Sequence, residues 1–235
     1  MTRLAPEPVV VFAASSLTNV LDAAARAYEQ STGVSLLVNV GASNSQARQI
    51  LDGAPADVFC SADEVQMDVV ERAGKIVPGT RVVLAFNRLV VVVPKERARR
   101  FSAITELFDP SVQRIAVGDP AAVPVGVYTR QYLEGAGLWA RIQPRLVPTL
   151  NVRAALAAVE AGNADAAFVY ATDAPLASRV AVAFEVPVDQ MPAIVYPAAV
   201  ATGGRNAEGG RRLLAFLERE PGRAIFVRFG FGVPA

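Results

Sequence analysis

"VVVFAASSLTNVLDAAARAYEQSTG" occupies Val9–Gly33. Its opening residues form an unbroken apolar run, which suits a strand covered on both faces. Apolar side chains then recur at Leu17, Val20, Leu21, Ala24 and Tyr28, the spacing of a helix with one buried stripe. Gly33 follows, where a helix commonly ends on a left-handed residue. Between strand and helix sit two adjacent hydroxyls, Ser15 and Ser16, with no charged residue beside them.

The alternation continues along the chain. Strand "VSLLVNV" (34–40) leads through "GASNSQARQILDG" into a short helix, and strand "ADVFCS" (56–61) precedes helix 62–73, closed by Gly74. A β-α-β-α-β-α order implies a mostly parallel sheet flanked by helices, the α/β class. "VVLAFNRLVVVVP" (82–94) is too long for one ordinary strand and is interrupted at Asn87-Arg88, so it reads as a strand leaving one sheet for a second. A second alternating set follows: strand "RIAVGD" (114–119), a helix ending near Gly135–Gly137, helix 152–161, and strands 166–171, 180–187 and 193–201. The chain closes with helical "AEGGRRLLAFLEREPGRAIFVRFGF", broken at Pro221-Gly222. Two α/β lobes result, the first combining 1–85 with 198–235 and the second spanning 86–197, with crossings near 85–88 and 196–199.

Composition narrows the chemistry. Of 235 residues 52% are hydrophobic and 19% charged, as in a folded soluble chain of one large or two small domains. The net charge of +1 suggests neither nucleic acid nor an anionic membrane surface. Only Lys75 and Lys95 are lysines among the 23 basic residues, a bias that reads as genomic composition. The longest aliphatic run, Leu89 to Val93, is far short of the roughly 20 residues that span a bilayer. "MTRLAPEPVVVFAA" is a poor secretory leader, since its apolar part runs straight into the first helix; the chain is cytoplasmic, or a leader has been removed.

There is no histidine, so Ser-His-Asp and Cys-His nucleophiles lack their base. The single cysteine, Cys60, can form no intrachain disulfide, and one Cys without His makes a poor transition-metal site. Neither a phosphate loop nor a dinucleotide fingerprint occurs. Asp57, Asp63, Asp119 and Asp173 read as strand-end and helix-start residues; the alternative use is Mg²⁺ binding in an enzyme acting on a phosphorylated substrate. The expectation is a protein without catalytic groups or a cofactor.

The hydroxyls then gain interest. The first N–H groups of a helix lack intrahelical partners and carry the positive end of its dipole, so a hydroxyl beside them completes a site for an anion. The competing use of Ser15 or Ser16 is to cap its own helix. The arrangement recurs, however: Ser43 and Ser45 follow Gly41, "GDPAAVPVGVY" starts a helix near Val125, and "PTLNVRAAL" starts one at Val152. Ligands of open α/β sheets sit beyond the carboxyl ends of the strands. Tyr170, closing "AAFVY", would add a phenol there or serve only as an amphipathic sheet-edge residue. Arg48 and Arg153, one turn inside their helices, read as ion-paired or exposed rather than as ligand groups.

The stretches "VFAASSLTNVL", "GASNSQARQILDGAPADVFCSADEVQMD", "LVVVVPK", "AVGDPAAVPVGVY", "NVRAALAAVEAGNADAAFVYATDA" and "RFGF" cover nearly the whole chain. In that order the chain resembles the periplasmic molybdate-binding proteins of ABC importers, of the type II periplasmic-binding-protein superfamily. The resemblance implies a two-lobe fold with a ligand cleft between lobes, and capture of molybdate, and of tungstate, by neutral donors for delivery to a membrane permease. It further implies a monomer in the periplasm or another extracytoplasmic place. Carried over by position, it implies that Ser16 (hydroxyl and N–H), Ser43, the N–H groups of Val125 and Val152, and the hydroxyl of Tyr170 bind the oxyanion. The molybdenum would be held only as its oxyanion, with no cation ligands. The alternatives are a binding or sensor domain of the same fold for another oxyanion such as sulfate, or the Mg²⁺ enzyme above.

Overall fold

The computed structural model describes residues 6–98 and 101–235. Met1–Ala5, the start of the stretch weighed above as a leader, lie outside the described residues. By internal contact the chain divides into two units, Met1–Phe86 with Val195–Ala235, and Asn87–Ile194.

Numbering strands and helices in chain order, the first unit holds β1 (Val9–Ala14), α1 (Thr18–Thr32), β2 (Leu36–Gly41), α2 (Ser43–Leu51), β3 (Val58–Cys60), α3 (Glu64–Arg72) and β4 (Val82–Asn87). It is completed by β10 (Ile194–Val200), α7 (Ala207–Glu218) and α8 (Gly222–Arg228) from the chain end. The sheet order is β2-β1-β3-β10-β4. β1 runs parallel to both β2 and β3, and β10 is antiparallel to β3. Because β1 is an interior strand covered on both faces, it needs no polar alternation, and Val9, Val11, Phe12, Ala13 and Ala14 are all buried. One side packs Phe12, Ile50, Phe59, Met67 and Val70 into a core with α2 and α3. On α1, Val20, Leu21, Ala24 and Tyr28 turn inward, and Tyr28 meets Phe216 of α7 edge-on at 5.2 Å. Gly33 ends α1 in the left-handed conformation, φ 72°.

The second unit holds β5 (Leu89–Pro94), β6 (Ile115–Gly118), α4 (Pro124–Gly135), α5 (Trp139–Ile142), β7 (Leu146–Thr149), α6 (Val152–Glu160), β8 (Ala166–Tyr170) and β9 (Val180–Glu185). Its sheet order is β7-β6-β8-β5-β9, with β6 parallel to β7 and β8, and β5 antiparallel to β8 and β9. Both sheets are therefore mixed, each with a parallel half.

Three features depart from the sequence reading. β7 is not anticipated, because Pro148 argues against a strand; it forms because β7 is the sheet edge, where one missing N–H costs little. The second crossing falls between Ile194 and Val195 rather than at 196–199. The strand expected at 193–201 in the second set pairs instead in the first unit's sheet, Ala198, Ala199 and Val200 opposite Cys60, Phe59 and Val58. Periodicity reveals that a strand exists but not which sheet accepts it.

The discontinuous first unit is tied at its edges. Asp57, 1% exposed, accepts hydrogen bonds from Val10 N–H (2.8 Å) and Asn206 N–H (2.6 Å), joining β1 to the start of α7. Phe86 and Gly232 exchange both of their N–H···O bonds, fastening the chain end to β4. Asp57→Ala is expected to leave two part-buried N–H groups without their acceptor and lower unfolding free energy by about 1–3 kcal/mol, measured by urea titration.

Candidate functional site

The helices that follow the parallel strands of a unit all start at the same end of its sheet. Ala14, the last residue of β1, lies opposite Gly41, the last of β2. Ser16 and Ser43 each stand two residues further on, so they occupy matched places beyond adjacent strands. Both are buried, at 4% and 1% exposure.

Neither serine occupies the N-cap position of its helix. The chain leaves β1 through a single tight turn, Ser15–Leu17, whose cap residue is Ala14, and α2 starts from Ala42; no side chain caps either start. Thr18 Oγ1 satisfies the Ser15 carbonyl instead, at 2.7 Å. Ser15 and Ser16 lie between Ala14 and Leu17, the N-cap residues of that turn and of α1. Each hydroxyl serves as an acceptor toward the interior: Ser16 Oγ takes a hydrogen bond from Tyr196 O–H (3.0 Å), and Ser43 Oγ takes one from Ala62 N–H (2.9 Å). A hydroxyl has one hydrogen and two lone pairs, so a serine that accepts is able to donate as well.

In the second unit the parallel strands are β7, β6 and β8, and Gly118 at the end of β6 lies opposite Thr149 at the end of β7. Helix α4 begins with Pro124, which has no N–H, while Gly126 and Val127 N–H both bond to Val123 O at 2.9 and 3.0 Å. Val125 carries the N–H that this first turn does not consume. Two glycines permit the helix start to lie so close to β6: a Cβ on Gly126 would sit 1.9 Å from Gly118 O, and one on Gly118 would meet Val123 at 2.5 Å.

α6 is capped by Asn151, whose side chain accepts from Ala154 N–H at 3.0 Å, and Ala155 N–H bonds Asn151 O. Val152 N–H thus opens the helix at its positive end. Tyr170 closes β8 and is 1% exposed. Three expected residues, Val125, Val152 and Tyr170, therefore gather at the carboxyl ends of β6, β7 and β8. Ser16 and Ser43 gather on the other unit.

The charged candidates have partners of their own. Arg153 Nε meets Asp173 Oδ1 at 2.6 Å, and Asp173 is fully buried. Burial raises the Asp173 carboxyl to about 7, with the Arg153 guanidinium pulling the other way. Arg48 lies exposed, 3.9 Å from Asp52. Asp63 caps α3 by accepting from Gln66 N–H at 2.9 Å, and Asp119 accepts from Ala121 N–H in a turn. Cys60 is buried, its thiol pushed up to about 12 by desolvation. Among the described residues no group of three or more His, Cys, Asp or Glu is placed to hold a metal ion, and no helix is long and apolar enough to cross a membrane.

Sequence reasoning missed Tyr196, Asn151 and the role of the Ala62 N–H. Asn151 was legible as a cap before an apolar helix. Tyr196 and Ala62 were not, since each meets its serine only through strand register.

Two mixed α/β units, each with helix starts past its parallel strands, are the architecture of the type II periplasmic-binding-protein fold. The chain matches the bacterial extracellular solute-binding protein family over residues 9–232. It is 37% identical over 231 residues to the molybdate-binding protein ModA of Escherichia coli, covering 96% of this chain and 89% of that one. A solved Clostridium difficile chain, assigned as the substrate binding domain of a molybdenum ABC transporter, is 31% identical with a TM-score of 0.76, covering 98% and 100% of the two chains. The periplasmic molybdate-binding protein of Azotobacter vinelandii shares the fold at TM-score 0.86, 24% identity and coverage of 97% and 100%. The chain belongs to the bacterial extracellular solute-binding protein family, in the group of the ModA molybdate-binding proteins.

Gly126→Ala is expected to force α4 away from β6, lowering stability by about 1–3 kcal/mol. Thermal unfolding of the unliganded protein reads this loss.

Proposed function

We propose that this chain is the extracytoplasmic substrate-binding component of an ABC importer. Its proposed donors to molybdate are Ser16 through O–H and N–H, Ser43 O–H, Val125 N–H, Val152 N–H and Tyr170 O–H. The reading is carried by one observation. In each unit the expected residues stand together beyond neighbouring parallel strands, and those of the first unit are hydroxyls whose inward lone pairs already accept a hydrogen bond.

The chemistry of the ion agrees. Molybdate is a dianion without a proton at neutral pH, so a site for it needs donors and no acceptor. Neutral donors held by strand ends and helix starts are already oriented, and they meet the ion with little reorganisation. Each hydrogen bond to a charged group contributes about 1.5–3 kcal/mol net. About five to seven of them give roughly 8–20 kcal/mol before the costs of association, which leaves micromolar or tighter binding within reach. Arg153 supplies no bare positive charge at the ligand, because its guanidinium is engaged by Asp173. Tungstate, of the same charge and shape, is bound by the same donors. Delivery follows by docking of the loaded protein on a membrane permease.

The test is a thermal-shift series with molybdate, tungstate, sulfate and phosphate. Molybdate and tungstate are expected to raise the midpoint well above the other two, and a series in which no oxyanion raises it ends this reading. By calorimetry, Ser16→Ala is expected to weaken molybdate binding by about 1.5–3 kcal/mol, roughly ten- to 150-fold. A loss below twofold removes Ser16 from the site.

A further inference from the structure

Tyr196 has no role in the donor set above, yet it is fully buried and donates to Ser16 Oγ at 3.0 Å. We infer that Tyr196 is a positioning residue, which fixes the Ser16 hydroxyl as a hydrogen-bond donor toward a fully ionised oxyanion. The inference rests on the reading of Ser16 as a ligand group.

The register of β10 delivers Tyr196 to this place. Ala198 lies opposite Cys60 in the antiparallel pair, so Tyr196, two residues earlier, comes beside the turn that follows β3. Ser61 N–H donates to Pro197 O at 2.9 Å, holding that turn against β10, and the next N–H, of Ala62, donates to Ser43 Oγ. The same few residues thus set the orientation of both serines. The Tyr196 ring is itself held: Phe231 meets it edge-on at 5.4 Å and 88°, and Phe226 meets Phe231 at 5.7 Å. Phe231 is the last residue of "RFGF", the C-terminal stretch whose purpose was not evident in the sequence. That stretch buttresses Tyr196, and through it Ser16.

The chemistry sets the direction of the effect. A phenol is a stronger acid than an aliphatic alcohol, so in a Tyr–Ser pair the phenol is the favoured donor. With one lone pair engaged, the Ser16 rotor loses the orientations that turn its hydrogen inward, and polarisation along the chain of hydrogen bonds strengthens its own donation. An anion with no proton to give gains from both effects. Without the phenol, Ser16 regains rotational freedom that binding must then remove.

Tyr196→Phe deletes only the hydroxyl and keeps the ring against Phe231. The test is a double-mutant cycle for molybdate affinity by calorimetry, using wild type, Tyr196→Phe, Ser16→Ala and the double variant, with unliganded melting curves to show that each is folded. The expected result is about three- to tenfold weaker binding for Tyr196→Phe in the wild-type background and less than twofold further loss when Ser16 is already alanine. A residue that merely supports the fold weakens both backgrounds equally, and that outcome overturns the inference. So does an unchanged affinity of Tyr196→Phe while Ser16→Ala binds weakly, which leaves the donor set intact. If Ser16→Ala itself binds normally, the assignment of Ser16 fails and the role of Tyr196 falls with it.

Discussion

The structure depends on the incomplete hydrogen bonding of a helix start placed beyond a parallel strand. The helices that follow the parallel strands of a unit all start at one end of its sheet, where backbone N–H groups without an intrahelical acceptor accumulate. Left alone they would be an unfavourable place to exclude water; set around an anion they are satisfied together. In the second unit this economy is visible at α4, where Pro124 offers no N–H, Val123 O takes those of Gly126 and Val127, and Val125 keeps the remaining one.

The proposed donors are backed by rigid structure. Gly118 and Gly126 permit backbone approach that any Cβ would prevent, locking the start of α4 against β6. Asn151 does the corresponding work at α6 through its cap on Ala154. Arg153, partly exposed, pairs with the fully buried Asp173 behind the start of α6. On the first unit the serines are steadied from beneath by Tyr196 and Ala62. A site built in this way relies on dipoles that are already aligned, in keeping with a ligand that offers charge and acceptor oxygens but no proton.

The carboxylates that left an enzymatic alternative open in the sequence have structural employment. Asp57 ties β1 to α7 through two backbone N–H groups, Asp63 caps α3, Asp119 closes a turn, and Asp173 pairs with Arg153. These are roles for which Asp is suited by its short side chain and two acceptor oxygens.

Sequence by itself determined the α/β alternation, the helix stripe from Val20 to Tyr28, the Gly33 terminus and the strand-to-helix junctions at Ser16, Ser43, Val125 and Val152. All of these are local: periodicity, glycine conformation and proline at a helix start act over a few residues. It did not determine that Pro148 sits in an edge strand, that Ile194–Val200 pairs in the first unit's sheet, or that Tyr196 supports Ser16 from 180 positions away. Those were decided by tertiary structure, because strand order and register fix which distant groups meet, and neither is written in the spacing of one segment.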